Sequence, residues 1–170
     1  SEIQPDMLNA DITQTTDSPS WGGLYLQYFE KFDQVQQQKG ILSVTKKLFI
    51  EKIGSDGKQE LLPLGKEKLK TGDKVITRLT LSLKQDMDFL YLKDFRAACF
   101  EPIGQLSGNQ WKFGTVYYEE SKDAVTNFFF NSLAKGTYVL EYPVWVNQAG
   151  TYQDGIATFQ SMYAPEYTAY

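Results

Sequence analysis

The pattern that decides the fold lies in the stretch Val75-Ile76-Thr77-Arg78-Leu79-Thr80-Leu81-Ser82-Leu83-Lys84. One face of this stretch, drawn as an extended chain, carries the apolar residues Val75, Leu79, Leu81 and Leu83. The opposite face carries Ile76, Arg78, Thr80, Ser82 and Lys84. Because successive side chains of a strand point to opposite faces, this period of two predicts an antiparallel strand with one buried face.

Strand patterns of this kind follow one another along most of the chain. The predicted strands cover residues 23–29, 41–53, 59–64, 75–84, 89–95, 115–119, 125–130, 138–146 and 156–163. Turn signals such as Asp56-Gly57 and Thr71-Gly72-Asp73 separate them. Since no amphipathic helix pattern intervenes, we predict an all-β fold, an antiparallel β-sandwich of about eight strands of immunoglobulin-like type.

The first part of the chain differs in composition from the rest. Residues 1–20 are rich in turn-forming and polar residues, and residues 34–39 are polar. We therefore expect residues 1–38 to be a flanking segment, the end of a preceding domain and a linker, and residues 39–170 to be a C-terminal β-sandwich domain. The chain begins Ser-Glu-Ile without a basic or apolar leader, so we expect part of a larger protein whose targeting signal lies elsewhere.

Composition argues against several classes of function. The chain has no histidine, which removes the usual general base of hydrolases and the commonest ligand of transition metals. Its net charge is −4 and its 17 Lys and Arg residues are scattered, whereas nucleic-acid binders concentrate basic residues on one face. No apolar run is long enough to span a membrane. We predict a protein that is not an enzyme, without catalytic residues, metal or cofactor, and without nucleic-acid partner or membrane insertion by this chain.

Cys99 is the only cysteine, so no disulfide forms within the chain. The segment Cys99-Phe100-Glu101-Pro102 superficially resembles the Cys-x-Glu-Gln of internal thioesters, but proline offers no side-chain carbonyl for the bond. A free cysteine is usually a small buried hydrophobe, and we predict a core position for Cys99. Three nearby acidic residues, Asp86, Asp88 and Asp94, lack the glycine of a calcium loop and are predicted to be solvated.

Two further positions have predicted architectural roles. Gly136 and Tyr138 in the segment Leu133-Ala134-Lys135-Gly136-Thr137-Tyr138 follow the order of a tyrosine corner, in which the phenol bonds back to nearby backbone. Pro143 lies within a predicted strand and cannot donate to a ladder, so we expect an edge or a bulge there.

Trp111 is a candidate partner contact. It follows the polar run Ser107-Gly108-Asn109-Gln110 in a glycine-containing region that we interpret as a loop. An exposed aromatic residue on a loop can bind a sugar or a protein, and the alternative is that Trp111 packs under its own loop.

The segments that remain resemble a known family. Met87-Asp88-Phe89, Leu133–Tyr138 and above all Gln160-Ser161-Met162-Tyr163-Ala164-Pro165 resemble, in order and spacing, the C-terminal domain of bacterial alpha-2-macroglobulins. The segment Trp21-Gly22-Gly23-Leu24-Tyr25 resembles the approach to that domain.

The resemblance implies that the β-sandwich is of the macroglobulin type, and it implies a function for the parent protein and a role for two residues. Such proteins trap proteases: cleavage of a bait region changes their shape, and a thioester captures the attacker. The implied location is periplasmic or in the cell envelope, and the implied partners are the thioester and CUB-like domains of the same parent, with proteases binding the whole protein. By resemblance, Tyr163 and Met162 shield the neighbouring thioester. The alternative is an immunoglobulin-like carbohydrate- or protein-binding module of a cell-envelope protein.

Overall fold

A computed structural model describes residues 11–15, 17–22, 40–55, 57–65, 68–104 and 106–170. The chain divides into two compact units, Ser1–Gln34 and Val35–Tyr170, and the strands below belong to the second. The strand predicted at residues 23–29 and the loop predicted at 34–39 lie outside the described residues, as does the domain boundary after residue 38.

The second unit contains eleven β-strands in its described residues. They are β1 Leu42–Ile53, β2 Gln59–Pro63, β3 Lys74–Leu83, β4 Met87–Phe95, β5 Phe100–Pro102, β6 Gly108–Lys112, β7 Thr115–Ser121, β8 Val125–Leu133, β9 Gly136–Val146, β10 Ala157–Ser161 and β11 Thr168–Ala169.

These strands form two antiparallel sheets. The five-stranded sheet has the order β2-β1-β3-β9-β5, and the six-stranded sheet has the order β11-β10-β4-β8-β7-β6. The predicted all-β sandwich is confirmed. The strands that the sequence did not reveal are β5, β6 and β11, and of these β5 and β11, with three and two residues, are too short to show a clear period of two.

The core lies between the two sheets and is built by the alternation that predicted the fold. The side chains of Val75, Leu79 and Leu81 from β3 are fully buried. The facing sheet contributes Leu90, Leu92, Phe128, Phe130 and Phe159, all almost fully buried. Burial of a side chain of this size contributes about 1.5–3 kcal/mol, so the facing apolar sides are the main source of stability.

A buried polar cluster interrupts this apolar core. Lys46 Nζ of β1 lies 2.9 Å from Asp94 Oδ1 of β4, and it donates hydrogen bonds to the Phe95 carbonyl at 2.7 Å and to Asp154 Oδ1 at 2.9 Å. The Tyr142 hydroxyl of β9 donates to Asp94 Oδ2. The expectation that Asp94 is solvated is therefore wrong: its side chain is fully buried and links the two sheets.

Pro143 occupies the point where β9 loses one of its neighbours. β9 pairs with β3 from Gly136 to Trp145, whereas β5 pairs only with residues 144–146. The Pro143 carbonyl accepts a hydrogen bond from Ile103 N at 3.1 Å, on the β5 side. Since the N–H and C=O of one strand residue point to the same side, the missing N–H faces that incomplete ladder and leaves the β3 ladder intact.

Candidate functional site

The segment with the most specific sequence pattern forms a closed loop between β10 and β11. These two strands pair through Phe159 with Ala169 and Gln160 with Thr168, so residues 162–167 leave the sheet and return to it. Phe159 and Ala169 are fully buried. Both ends of the loop are therefore anchored in the core.

Hydrogen bonds fix the backbone of this loop. The N–H of Ser161 donates to the Tyr167 carbonyl at 3.1 Å, and the N–H of Tyr167 donates to the Ala164 carbonyl at 2.9 Å. The N–H of Ala164 donates to Ser161 Oγ at 3.2 Å, and Thr168 Oγ1 donates to the Pro165 carbonyl at 2.7 Å. A loop with this many internal bonds holds its side chains in defined directions.

Met162 and Tyr163 project from the fixed loop into solvent. The Tyr163 side chain is 78% exposed and that of Met162 is 50% exposed. The sequence predicts a strand over residues 156–163, which would include both residues, but β10 ends at Ser161. An exposed aromatic residue next to an exposed methionine is the composition of the centre of a protein interface rather than of ordinary surface.

Phe89 of β4 supports the Tyr163 ring. The two rings meet edge to face, with centroids 5.2 Å apart and planes at 90°. The Phe89 carbonyl also accepts a hydrogen bond from the Met162 N–H at 2.9 Å. Phe89 therefore contacts the loop both through its ring and through its backbone.

The backbone of Phe89 is unusual. Its φ is +52°, in the left-handed region, although its neighbours Asp88 and Leu90 pair regularly with β8. Such a conformation of a non-glycine residue costs about 1–3 kcal/mol and persists only where the surroundings impose it. Nothing in the sequence pattern signals it, and Phe89 was singled out there only as part of the resembling segment.

Trp111 lies on β6 at the edge of the six-stranded sheet and not on a loop. Its side chain is 78% exposed, so the interpretation that Trp111 packs under its own loop is wrong. Register places it opposite Val116, two residues before Tyr118 on the same sheet face. Tyr118 adjoins Phe129, with ring centroids 6.3 Å apart, and Phe129 stacks on Tyr91 at 4.9 Å. Trp111 thus belongs to an exposed face with several aromatic residues.

Tyr138 makes a local contact near its predicted corner. Its hydroxyl donates a hydrogen bond to the Ala134 carbonyl, four residues earlier, at 3.0 Å. Gly136 lies between these two residues and is the first residue of β9. A β-carbon added to Gly136 would lie 3.8 Å from the Tyr138 ring. This hydrogen bond has the form expected of a tyrosine corner, in which the phenol bonds back to nearby backbone. The architectural role of Tyr138 and Gly136 stays a prediction.

The remaining candidates for chemistry are Cys99 and the acidic side chains. Cys99 is buried, as predicted, and burial raises the pKa of its thiol, which keeps it in the unreactive protonated form. Within the described ranges, His, Cys, Asp and Glu side chains form no cluster of three that could hold a metal. No helix in this part of the chain is long and apolar enough to cross a membrane.

A family model decides the identity of the fold. The model named Bacterial Alpha-2-macroglobulin MG10 domain matches residues 42–166, which is most of the chain. The chain belongs to this family. The second unit is thus a macroglobulin domain, and the MG10 match includes both the Phe89 strand and the Tyr163 loop.

Solved structures of bacterial alpha-2-macroglobulins share the fold. The Salmonella protein reacted with methylamine has a TM-score of 0.61 at 19% identity, covering 79% of this chain and 9% of that one. The Escherichia coli protein activated by porcine elastase has a TM-score of 0.59 at 18% identity, and the match covers 78% of this chain and 12% of that one. A native Escherichia coli structure that spans domain MG7 to the C-terminus has a TM-score of 0.58 at 18% identity, and the match covers 80% of this chain and 23% of that one.

The MG10-family chain corresponds to a small part of these proteins, about a tenth of the length of the Salmonella one. A comparison with curated proteins gives no significant match.

Proposed function

We propose that this chain is the C-terminal macroglobulin domain of a bacterial alpha-2-macroglobulin and that it packs on the thioester domain of the same parent, with Tyr163 and Met162 covering the thioester. The observation that carries the proposal is the Tyr163 ring, which projects into solvent from a loop held at both ends by the core. The contribution of the domain is steric protection, so it needs no catalytic residue of its own.

The physical reason for such a cover is the reactivity of a thioester towards water and amines. An aromatic ring excludes water over a large area and loses little conformational freedom when it is immobilised. Met162 adds a flexible apolar side chain that fills irregular gaps around the ring. When the parent changes shape, withdrawal of this loop would expose the bond.

The wider role follows from family membership. We propose that the parent traps proteases, that it acts in the periplasm or cell envelope, and that this domain contacts both the thioester and the CUB-like domain. We further propose that residues 1–38 flank the sandwich domain formed by residues 39–170, and that Tyr138 and Gly136 stiffen the start of β9.

The test is the change Tyr163→Ala in the full-length protein. Resting protein is incubated with methylamine, a probe that reacts with the Salmonella relative. We expect consumption of the thioester to be faster by about tenfold or more, because loss of a buried aromatic ring at an interface costs about 2 kcal/mol or more. Tyr152→Ala serves as control, since Tyr152 lies in the loop between β9 and β10. Equal rates for wild type and Tyr163→Ala would refute the shielding role.

A second candidate function is binding of a carbohydrate or a surface protein. The exposed aromatic face formed by Trp111, Tyr118, Phe129 and Tyr91 favours it. Titration of the chain with soluble glycans, followed by tryptophan fluorescence, separates the two functions. Saturable quenching that Trp111→Ala abolishes would support this candidate, whereas the shielding role predicts no response.

A further inference from the structure

We propose that Phe89 is the positioning residue of Tyr163: its ring, on the outer face of β4, supports the Tyr163 ring and holds it in its projecting orientation. Its consequence for thioester protection rests on the function proposed above. The support itself is a property of this chain and is testable without the parent.

The argument begins with the direction of the Phe89 side chain. In a regular strand, side chains alternate strictly between the two faces. Leu90 and Leu92 are buried, so this alternation places Phe89 on the outer face of β4, where its φ of +52° lies between two paired neighbours. On this face the Phe89 ring is half exposed and in edge-to-face contact with Tyr163, at a centroid distance of 5.2 Å.

The second step concerns what holds the two rings together. Met162, the residue before Tyr163, is hydrogen-bonded through its N–H to the Phe89 carbonyl. This backbone bond thus ties the residue before Tyr163 to the residue whose ring contacts the Tyr163 ring. Since the Tyr163 side chain is otherwise mostly in solvent, the Phe89 ring is its principal intramolecular support.

The chain supplies a matched control for this inference. Phe113 also has a left-handed backbone, with φ of +55°, and a half-exposed ring. It lies in the turn between β6 and β7, at the opposite edge of the sheet from β10 and β11. Asparagine tolerates left-handed φ better than other non-glycine residues, so Phe89→Asn and Phe113→Asn remove the rings while suiting the backbone.

The first readout uses this 170-residue chain and proton NMR. Wild type and Phe89→Tyr should show contacts between the rings at positions 89 and 163 and ring-current-shifted resonances. In Phe89→Asn the Tyr163 resonances should move to the values of a freely exposed tyrosine, whereas Phe113→Asn should leave them unchanged. Native Tyr163 resonances in a folded Phe89→Asn chain would overturn the inference. If Phe89→Asn fails to fold, Phe89→Leu, which keeps an apolar side chain without a ring, decides the same question.

The second readout is the methylamine reaction of resting full-length protein. Edge-to-face pairs contribute enough that loss of this support should accelerate the reaction about 2- to 12-fold, with Phe89→Tyr restoring the wild-type rate. If Tyr163→Ala reacts faster with methylamine while Phe89→Asn reacts at the wild-type rate, this inference is overturned and the proposed function stands. An unchanged Tyr163→Ala would overturn the proposed function, and the NMR result would still decide whether Phe89 positions the ring.

Discussion

Asp94 is the residue whose surroundings differ most from those its sequence suggests. Its carboxyl group is fully buried, pairs with Lys46 and accepts a hydrogen bond from the Tyr142 hydroxyl. Burial raises the pKa of Asp94, and the neighbouring Lys46 charge opposes this effect. Burial and the Asp94 charge raise the pKa of Tyr142 well above its ordinary value, so Tyr142 stays a hydrogen-bond donor. The two partners of the Asp94 carboxyl group, Lys46 and Tyr142, each lie 48 residues away in the sequence. No local sequence pattern reveals contacts over such a separation.

Tyr142→Phe should therefore destabilise the domain. The change leaves the buried Asp94 carboxylate without one donor, and hydrogen bonds to charged groups contribute about 1.5–3 kcal/mol. The matched control is Tyr91→Phe, because the Tyr91 hydroxyl donates to a neutral acceptor, Asn127 Oδ1, at 2.8 Å. That change should cost about 0.5–1.5 kcal/mol. Urea unfolding monitors both variants, and an equal loss in the two would contradict the role given to the buried cluster.

At the scale of elements, the segment after β9 is fitted tightly against β4. A β-carbon added to Gly155 would lie 2.4 Å from Phe95 Cβ and 2.6 Å from the Phe95 carbonyl oxygen. The Phe95 N–H donates to the Ile156 carbonyl at 3.1 Å, and the Gly155 carbonyl accepts from Lys46 Nζ at 3.1 Å. The segment cannot move away without disturbing the buried cluster.

Gly155→Ala should consequently cost about 1–3 kcal/mol, the usual effect of forcing an extra carbon into a packed site. Gly65→Ala is the control, since a β-carbon there meets no atom of the described residues within 4 Å beyond its chain neighbours. The control should change stability by less than about 0.5 kcal/mol. Thermal or urea unfolding compares the two variants. A loss in Gly155→Ala no greater than that in Gly65→Ala would show that the segment yields easily.

β5, β6 and β11 were not predictable from sequence, whereas the other strands were, for physical reasons that differ between strands. β3 buries one face, so its apolar residues must alternate, and its pattern is visible without a structure. β6 lies at a sheet edge with Asn109, Trp111 and Lys112 exposed, so no burial constrains its sequence and it resembles a loop. β11 has only two residues, and their pairing with β10 depends on the loop between them.

At the scale of the whole molecule, the resemblance of a few short segments identified the family, and the family model bears it out. The candidate site was predictable in part: Met162 and Tyr163 could be singled out by resemblance, but the Phe89 support could not. The left-handed φ of Phe89 arises from tertiary packing, and so does its contact with Tyr163, which lies 74 positions further along the chain. Sequence reasoning also treated Trp111 as a separate loop feature, whereas strand register places it on a face shared with other aromatic residues.

The central claim, that a neighbouring domain covers Tyr163 in the resting parent, is tested most directly by hydroxyl-radical footprinting with mass spectrometry. Three samples are compared: this chain alone, the resting full-length protein and the full-length protein after protease cleavage, with Tyr152 as internal reference. We predict strong modification of Tyr163 in the chain alone, where the ring is 78% exposed, marked protection in the resting protein, and renewed modification after cleavage. Equal modification of Tyr163 in the chain alone and in the resting protein would contradict the claim.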